Sequence, residues 1–269
     1  MLRIESFLRD LRIMREKKPM IHHIMNFVIM NDAANITLSI GAAPIMAHAV
    51  EELEDLASVA DAIYINIGTL DSPWIESMIK LSKLAEKYNK PLLLDPVGVG
   101  ATKLRTETAI KILETGAVSV LKGNAGEMLA LAGLSGKVRG VESLVESGFE
   151  AVEILAKRYN TVAVATGKID YVSRGDSIFG VEGGSEMFKY VSGAGCMLGS
   201  VIASFMAVNR DFVEASLEGS LAFKRAGEIA EIKSGRNPGT FKVELFNSIF
   251  NIQQYVSEDI IRERVRLIK

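Results

Sequence analysis

The stretch Tyr190-Val191-Ser192-Gly193-Ala194-Gly195-Cys196-Met197-Leu198-Gly199-Ser200 separates two parts of the chain. Before it, apolar strand-like runs alternate with helical patterns, whereas after it the periodicity is helical. The small residues at 192–195 predict a loop that leads into the N-terminus of a helix. Free backbone N–H groups and the positive end of the helix dipole favour an anion at such a position. We therefore predict a phosphate or oxyanion site formed by Gly193, Ala194, Gly195 and Cys196.

Cys196 is the only cysteine of the chain and falls in the first turn of this predicted helix. A thiol at a helix N-terminus tends to have a lowered pKa. Cys196 is therefore a candidate base, nucleophile or hydrogen-bond partner. The alternative is that the small residues only permit close packing and that the cysteine is an inert apolar side chain.

Length and composition indicate a globular body of enzyme size. The chain has 269 residues, of which 48% are hydrophobic, and this supports a substantial buried core. We find no linker, internal repeat or low-complexity tract in the sequence, so we predict one domain over residues 1–269. The formal net charge is −2 and no basic run occurs, which argues against a nucleic-acid partner or an anionic membrane partner.

The sequence also indicates a cellular compartment. A single cysteine excludes an internal disulfide and fits a reducing environment. The first 18 residues are amphipathic and charged, unlike a secretory signal peptide. No apolar run reaches the roughly 18 residues that are needed to span a bilayer. We therefore expect the protein in the cytoplasm.

Apolar runs and helical patterns alternate along most of the chain. Strands separated by helices of this length indicate a parallel sheet with right-handed crossovers. The predicted fold class is therefore α/β, with a mostly parallel central sheet flanked by helices. The predicted strands are 42–46, 62–68, 91–95, 117–121 and 161–165, after an extended segment at 19–25, and the predicted helices are 1–18, 31–41, 50–59, 72–88, 106–114, 124–132 and 149–159.

Three regions depart from this alternation. Residues 133–147 are predicted as a loop or insertion. Residues 169–173 and 177–182 are predicted to form an antiparallel hairpin. After residue 193 we predict three helical segments and no further strand, which makes the C-terminal part helical.

Polar residues follow three of the predicted strands. Asp95 ends one strand, Lys122 ends the next, and Thr166 and Gly167 end the strand at 161–165. Glu127 lies near the start of the helix that follows Lys122. Ligands of open parallel sheets bind beyond the carboxyl ends of the strands. Carboxylates hold Mg²⁺, usually through waters, and lysine meets phosphate oxygens, so this set predicts a site for a magnesium nucleotide.

Each of these residues also has a simpler interpretation. Asp95 can be a cap, Glu127 a first-turn residue favoured by the helix dipole, and Lys122 a solvated side chain. Their joint placement at one edge, together with the loop at 193–196, favours the functional interpretation. Two common nucleotide motifs are excluded, because no Walker A sequence occurs and the glycine spacing after residue 193 does not match the dinucleotide fingerprint.

The three histidines, His22, His23 and His48, lie in the first fifth of the chain. His22 and His23 have no cysteine or carboxylate nearby in the sequence, which argues against a metal site. They either line a substrate pocket or lie in the core. A hydrolase dyad of Cys196 with a histidine also remains open, although it leaves the polar strand ends unexplained.

Six motifs resemble, in order, those of the hydroxyethylthiazole kinases, a family of the ribokinase-like superfamily. The resemblance covers most of the chain. It is specific, because other members of the superfamily place an aspartate where this chain has the cysteine after the glycine loop. The motifs are Pro19-Met20-Ile21-His22 through Asn26, Ala43-Pro44-Ile45-Met46-Ala47-His48, Asp95-Pro96-Val97-Gly98-Val99-Gly100-Ala101-Thr102, Lys122-Gly123-Asn124-Ala125-Gly126-Glu127, Ala165-Thr166-Gly167 with Asp170-Tyr171-Val172, and Ser192-Gly193-Ala194-Gly195-Cys196.

This resemblance implies a fold, an activity and a set of site residues. It implies a ribokinase-like fold and ATP-dependent phosphorylation of the primary alcohol of 4-methyl-5-(2-hydroxyethyl)thiazole in thiamine salvage. It also implies Mg²⁺ and a homotrimer with sites between subunits. The implied residues are Met46, Asn26, His23 and the backbone of Gly193 for the thiazole, Lys122, Thr166, Asn124 and Gly167 for ATP, Asp95 and Glu127 for Mg²⁺ and phosphate, and Cys196 beside the attacking hydroxyl.

Three positions depart from the family pattern. His23 stands where the family usually has asparagine, Ala194 where it has threonine, and Lys122 where it has arginine. Lysine keeps the charge but loses the planar fork that contacts phosphate with two hydrogen bonds. Alanine removes a hydroxyl and leaves the backbone cradle intact.

Two further hypotheses remain open from the sequence. The first is a kinase for another small alcohol, such as hydroxymethylpyrimidine. The second is a nucleotide-binding protein without catalysis. ADP release on the two alcohols separates the kinases, whereas tight ATP binding without turnover indicates the non-catalytic protein.

Overall fold

A nine-stranded sheet forms the centre of the protein in the computed structural model, which describes residues 2–134 and 141–269, with 141–147 described by backbone alone. The order of the strands across the sheet is β2-β1-β3-β4-β5-β6-β7-β8-β9. The strands are β1 (Met20–Ile24), β2 (Ala43–Met46), β3 (Ala62–Asn66), β4 (Leu92–Asp95), β5 (Val118–Asn124), β6 (Val162–Thr166), β7 (Ile169–Ser173), β8 (Ile178–Glu182) and β9 (Val265–Leu267).

Neighbouring strands from β2 to β6 run parallel, and those from β6 to β9 run antiparallel. The mostly parallel sheet and the hairpin of β7 and β8 are therefore confirmed. The register pairs Asn66 with Asp95, and Asn124 with Thr166. Polar residues that end four different strands thus lie along one edge of the sheet, where parallel α/β proteins bind ligands.

Helices cover both faces of the sheet. One apolar cluster holds buried residues such as Phe7, Ile36 and Val201 from helices on one face, and a second holds residues such as Met78 and Leu155 on the other. The helices are α1 (Ile4–Lys17), α2 (Met30–Ile40), α3 (Leu53–Val59), α4 (Ser72–Lys87), α5 (Lys103–Leu113), α6 (Ala125–Ala132), α7 (Val141–Tyr159), α8 (Ala194–Val208), α9 (Phe212–Ser234), α10 (Pro238–Phe250) and α11 (Glu258–Arg264).

The loop predicted at 133–147 is wrong for its second half, because α7 begins at Val141. Residues 135–140 of that prediction lie outside the described residues. A glycine at 148 argues locally against a helix, since glycine costs about 1 kcal/mol relative to alanine. At this position a Cβ atom would make an ordinary van der Waals contact with Ala125 at 3.6 Å, so Gly148 lies against α6 without being required there.

The prediction of three helices and no strand after residue 193 is also wrong. The chain forms a short fourth helix, α11, and then β9, in which Val265 pairs with Val181 of β8. A three-residue strand carries too little periodicity to be recognised in the sequence. Its pairing with the edge of the sheet depends on residues more than 80 positions away.

Two helices begin earlier than predicted. The side chain of Asn26 accepts hydrogen bonds from the N–H groups of Val28 and Ile29, and α2 starts at Met30 rather than after Asn31 and Asp32. Similarly, Thr102 caps α5, which starts at Lys103. Across residues 2–134 and 141–269, no helix combines the length with the hydropathy that crossing a bilayer requires.

Candidate active site

The glycine loop leads into the N-terminus of α8, as predicted. Gly193 precedes the helix with φ of +75°, and no side chain caps the helix end. Glycine is required at this position, because a Cβ atom would also lie 2.3 Å from the side chain of Ile29. Gly195 is exposed and Cys196 is buried in the first turn. The first turn of α8 therefore offers uncapped backbone N–H groups to an anion.

Lys122 connects the ends of two strands to this turn. Its Nζ lies 2.6 Å from Oδ2 of Asp95 and 2.8 Å from the carbonyl oxygen of Gly195. The Lys122 and Asp95 side chains are 3% and 2% exposed. Burial is the largest single influence and acts to lower the pKa of Lys122, but the charge of Asp95, the hydrogen bond to it and the other acidic groups nearby together raise the pKa. A cationic side chain thus lies beside the predicted anion site.

Two residues that the sequence analysis did not single out complete the network around Asp95. Tyr64 Oη lies 3.0 Å from Asp95 Oδ2 and 3.1 Å from the carbonyl oxygen of Cys196. Asn66 donates from Nδ2 to Asp95 Oδ2 over 3.3 Å. Gly199 permits this contact, because a Cβ atom there would lie 2.3 Å from Tyr64 Oη. Asn66 ends β3 as Asp95 ends β4, so the strand-end rule could have found it, whereas Tyr64 lies inside an apolar run.

Glu127 lies at the start of α6 and organises two loops. Its Oε1 accepts from the N–H of Gly98 and its Oε2 from the N–H of Asn124, both at 2.8 Å. The Asn124 side chain accepts in return from the N–H of Glu127, which completes a capping box. Burial raises the pKa of Glu127, and the negative charge of Asp95 raises it further. The two carboxylates therefore lie near enough for the charge of one to act on the other.

The environment of Cys196 contradicts the lowered thiol pKa that its helix position predicts. Burial, followed by the negative charge of Asp95, raises the pKa of Cys196 to about 11. Loss of hydration at the thiolate thus outweighs the helix dipole. The thiol is protonated at neutral pH and is suited to hydrogen bonding rather than to nucleophilic attack.

Asn26 connects the segment after β1 to this thiol. Its Nδ2 donates to Oδ1 of Asn66 over 2.7 Å and lies 3.6 Å from Sγ of Cys196. The side chain is almost fully buried, and its Oδ1 holds the turn that starts α2. The structure therefore brings Asn26 together with the residues around the N-terminus of α8.

His23 and Met46 are register partners on β1 and β2. The His23 ring has no exposed surface, and its nitrogens lie 2.9 Å from the carbonyl oxygen of Ile21 and 3.3 Å from Oγ of Ser200. Burial lowers the pKa of His23 to about 3, so the ring is neutral. Its placement gives no support to a direct substrate contact. Met46, in contrast, is half-buried at the end of β2.

The remaining histidines do not form a dyad with Cys196 in the described part of the chain. His22 bonds to the carbonyl oxygen of Ala47, and His48 accepts from the N–H of Met25 and stacks on Trp74 with ring centroids 4.2 Å apart. The hydrolase hypothesis therefore has no geometric support.

A cavity of about 730 Å³ opens beside the end of β6. Thr166 donates from Oγ1 to the carbonyl oxygen of Gly123, and the next residue, Gly167, lines the cavity. Gly123 follows Lys122 in the chain, and Lys122 contacts the carbonyl oxygen of Gly195. One hydrogen bond at Gly123 and another at Lys122 therefore connect the end of β6 with α8. The predicted ATP residues Asn124, Thr166 and Gly167 thus lie along one rim at the carboxyl ends of β5 and β6.

The carboxylates of Asp95 and Glu127 are suited to a cation that binds together with the phosphates of a substrate. Within residues 2–134 and 141–269, no group of three or more His, Cys, Asp or Glu side chains could hold a metal ion. Mg²⁺ keeps several waters and takes one or two carboxylates together with substrate phosphates. Asp95 and Glu127 match that requirement, whereas the donor set does not match a metal held by the protein alone.

Comparison with known sequences identifies the family of this chain. The sequence model of the hydroxyethylthiazole kinase family matches residues 11–255. A hydroxyethylthiazole kinase of Caldivirga maquilingensis is 57% identical over 92% of this chain and 93% of its own length. One from Pyrococcus furiosus is 44% identical over 95% of this chain and 96% of its own length.

Comparison with solved structures confirms the ribokinase-like fold. A hydroxyethylthiazole kinase protein from Pyrococcus horikoshii has a TM-score of 0.88 at 40% identity, covering 98% of this chain and all of its own. A pyridoxal kinase from Staphylococcus aureus has a TM-score of 0.63 at 17% identity over 79% of this chain and 88% of its own, and shares the fold alone. Matched by family, sequence and structure over nearly its whole length, this chain belongs to the hydroxyethylthiazole kinase family.

Proposed function

We propose that this protein transfers the γ-phosphoryl group of ATP to the hydroxyl of 4-methyl-5-(2-hydroxyethyl)thiazole, a step of thiamine biosynthesis and salvage. The observation that carries the proposal is the meeting of Lys122 and Asp95 with the uncapped first turn of α8. This meeting would provide positive charge and backbone donors to the phosphate oxygens. Membership of the family supplies the identity of the alcohol.

The backbone N–H groups of Gly193, Ala194, Gly195 and Cys196 would stabilise the phosphoryl group as charge shifts during transfer. A well-placed donor of this kind contributes about 3–4 kcal/mol. The transition state of phosphoryl transfer is loose, so the attacking hydroxyl needs little deprotonation. A protonated Cys196 is compatible with this role, because the thiol can orient the hydroxyl without removing its proton.

The substrate side of the site would be formed by the segments at the ends of β1 and β2. Met46 would contact the thiazole ring, and Asn26 would orient the hydroxyl together with Cys196. The 3.6 Å contact between Asn26 Nδ2 and Cys196 Sγ supports this pairing. His23 would not contact the thiazole directly, because its ring is fully buried, and would instead support α8 through its contact with Ser200.

Asn124, Thr166 and Gly167 would bind ATP along the rim, and Lys122 would neutralise its phosphates. Asp95 and Glu127 would hold Mg²⁺ together with those phosphates. When bound, the ion supplies charge neutralisation to the phosphate oxygens. Asp95 has a second role in this proposal, since its Oδ2 positions both Lys122 and Tyr64.

ADP release in a panel of small alcohols tests this function. We expect release with the hydroxyethylthiazole that depends on Mg²⁺, and much slower release with hydroxymethylpyrimidine. A preference for hydroxymethylpyrimidine would assign the other kinase activity, and tight ATP binding without turnover on any alcohol would remove the catalytic proposal.

We further propose a homotrimer of a single-domain chain that acts in the cytoplasm. The continuous sheet supports one domain over residues 1–269. Strand β2 leaves an edge of that sheet open, and Phe27 and Val28 next to Asn26 are 62% and 67% exposed, as expected where another subunit completes the site. The free thiol of Cys196 fits a reducing compartment. Light scattering should give three times the mass of the chain, and a monomer mass would contradict the trimer.

A further inference from the structure

Lys224 of α9 is a buried lysine held by backbone carbonyl oxygens. Its Nζ lies 2.9 Å from the oxygen of Gly167, 3.3 Å from that of Lys168 and 3.2 Å from that of Gly183. The residue is 5% exposed. A buried ammonium group is tolerated only where acceptors replace its hydration. These three carbonyl groups belong to two separate segments, so the lysine joins them.

Asp170 of β7 provides the opposite charge. Its Oδ1 lies 3.1 Å from Nζ of Lys224 and accepts the N–H of Gly167 over 2.9 Å. The residue is 2% exposed, and within the described residues its Oδ2 has no hydrogen-bond partner. Lys224 therefore also balances a carboxylate that would otherwise be buried without a counter-ion.

The second segment follows β8 and is held by α9 as well. Gly183 and Gly184 have φ of +108° and +98°, which is the backbone region that favours glycine. The N–H of Gly184 donates to Oε1 of Glu228 over 3.1 Å. Lys224 and Glu228 are four residues apart and thus lie on the same face of α9. One helix face therefore holds a carbonyl group and an N–H group of the same glycine segment.

Both segments form walls of the cavity beside the end of β6. Its lining includes Gly167, Lys168, Gly183, Gly184 and Lys224. The volume of about 730 Å³ is sufficient for a nucleoside. Gly167 lines the cavity and follows Thr166, and the proposed function assigns both residues to ATP. A change in the spacing of its two walls would therefore change the fit of the part of ATP that lies away from the transferred phosphoryl group.

We propose that Lys224 is a positioning residue of the nucleotide site, which fixes the distance between the turn after β6 and the segment after β8 and so shapes the pocket for the nucleoside of ATP. This inference rests on the proposed function. It assigns to Lys224 an effect on ATP binding that is separate from any effect on the thiazole or on the chemical step.

Steady-state kinetics of Lys224→Met test the assignment. ADP release is measured against ATP at saturating thiazole alcohol, and against the alcohol at saturating ATP. We expect the KM for ATP to rise about tenfold, with kcat and the KM for the alcohol within about twofold of the original protein. Lys233→Met on the same helix is the matched control, because Lys233 is partly exposed and does not line the cavity.

A double variant separates positioning from stability. Lys224→Met leaves Asp170 buried and uncompensated, so the single variant is expected to melt at a lower temperature. Lys224→Met with Asp170→Asn removes both charges and is expected to recover most of the melting temperature, while the raised KM for ATP persists. Lys224→Arg keeps the charge with a different donor geometry and is expected to restore stability more fully than ATP affinity.

Three results would overturn the inference. One is a folded double variant with the original KM for ATP, and another is an equal rise in the KM for the alcohol. The third is failure of both variants to fold, which would make Lys224 a requirement of the fold rather than of ATP binding. Failure of the proposed function is a different result, because the unaltered protein would then release no ADP with the thiazole alcohol.

Discussion

Lys122 and Asp95 form an ion pair in which Nζ and Oδ2 are 2.6 Å apart and both side chains are at most 3% exposed. The same ammonium group contacts the carbonyl oxygen of Gly195 at 2.8 Å. The pair therefore connects the end of β4, the end of β5 and the first turn of α8. Removing either charge leaves the other buried alone, so this pair affects both stability and the alignment of the site.

We expect Lys122→Met to lower the free energy of unfolding by about 3–5 kcal/mol, because Asp95 then has no buried counter-ion. Urea denaturation measures this change. Lys122→Met with Asp95→Asn is the matched variant and should recover most of the loss without recovering activity. An unchanged unfolding midpoint in Lys122→Met would contradict the contribution assigned to the pair.

Cys196→Ala should lower kcat by about tenfold or less, since a neutral thiol contributes one modest hydrogen bond. Steady-state kinetics measure this change.

Because burial and Asp95 raise the pKa of Cys196 to about 11, the thiol stays protonated between pH 6 and 9. The alkylation rate of the unaltered protein should accordingly still rise with pH above 9. A plateau in that rate below pH 8 would show a lowered pKa and revive the role of a thiolate. Complete loss of activity in Cys196→Asp would argue against a base at this position.

Glu127→Gln should raise the Mg²⁺ concentration for half-maximal activity by at least about tenfold. The reason is that the ion then loses one contact with a charged carboxylate, and such a loss weakens binding by about this factor. Burial raises the pKa of Glu127, so the carboxylate takes up its proton at a higher pH than a solvated glutamate. Activity should therefore begin to fall on the acid side above the usual carboxylate range. The pH profile of kcat/KM tests this, with exposed Glu107→Gln as the control, and an unchanged acid limb in Glu127→Gln would contradict the assignment.

Tyr64→Phe should lower stability by at least about 0.5–1.5 kcal/mol, because removing the hydroxyl group loses at least one buried hydrogen bond. The variant leaves Lys122 and Asn66 on Asp95 but frees the carbonyl oxygen of Cys196. We expect kcat to fall several-fold while the KM for ATP changes little. Thermal melting and steady-state kinetics measure both effects, and full kcat in Tyr64→Phe would show that α8 does not depend on this contact.

Glu218 of α9 predicts a pH dependence of stability. Its oxygens have no hydrogen-bond partner within the described residues, and burial, with the charges of Asp10 and Glu214, raises its pKa to about 9. A raised pKa means that the folded protein holds a proton which the unfolded chain releases above about pH 4.5. The stabilisation is therefore complete below that pH and is lost as the pH rises towards 9.

Glu218→Gln should remove this dependence, because glutamine stays neutral. Between pH 5 and 9 the free energy of unfolding should fall by up to about 1.4 kcal/mol per pH unit in the unaltered protein and by less in the variant. Melting temperatures measured across this range should fall in the same order. Exposed Glu107→Gln is again the control. Parallel pH curves for Glu218→Gln and the unaltered protein would contradict the prediction.

The residues at the strand ends were predictable from the local sequence. Asp95, Lys122 and Thr166 each follow a β-branched or leucine-rich run, and the rule that ligands bind beyond such ends predicted that they meet at one edge. The register of β5 with β6 confirms that placement for Asn124 and Thr166. The start of α7 and strand β9 were missed, because packing against α6 and pairing with β8 outweigh the weak local patterns.

In the candidate site, too, some residues could be predicted from the local sequence and others could not. The glycine loop at 193–195 was recognised from its small residues before a helical pattern, which is a local signal. The positive φ of Gly193 and its close approach to Ile29 became visible only in the structure. Tyr64 was missed because a tyrosine inside an apolar strand is typical of a core residue. Lys224 was missed for a similar reason, since nothing near it in the sequence shows that its acceptors come from the segments at 167–168 and 183.

By itself, the sequence determined the alternation of strands and helices, the glycine loop and the polar residues at the strand ends, because periodicity and backbone freedom are properties of neighbouring residues. Only the tertiary structure decided that the thiol of Cys196 is protonated, that Tyr64 holds Asp95, and that Lys224 joins two walls of one cavity. Hydration and ion pairing depend on groups that are far apart in the chain, and folding alone brings those groups together.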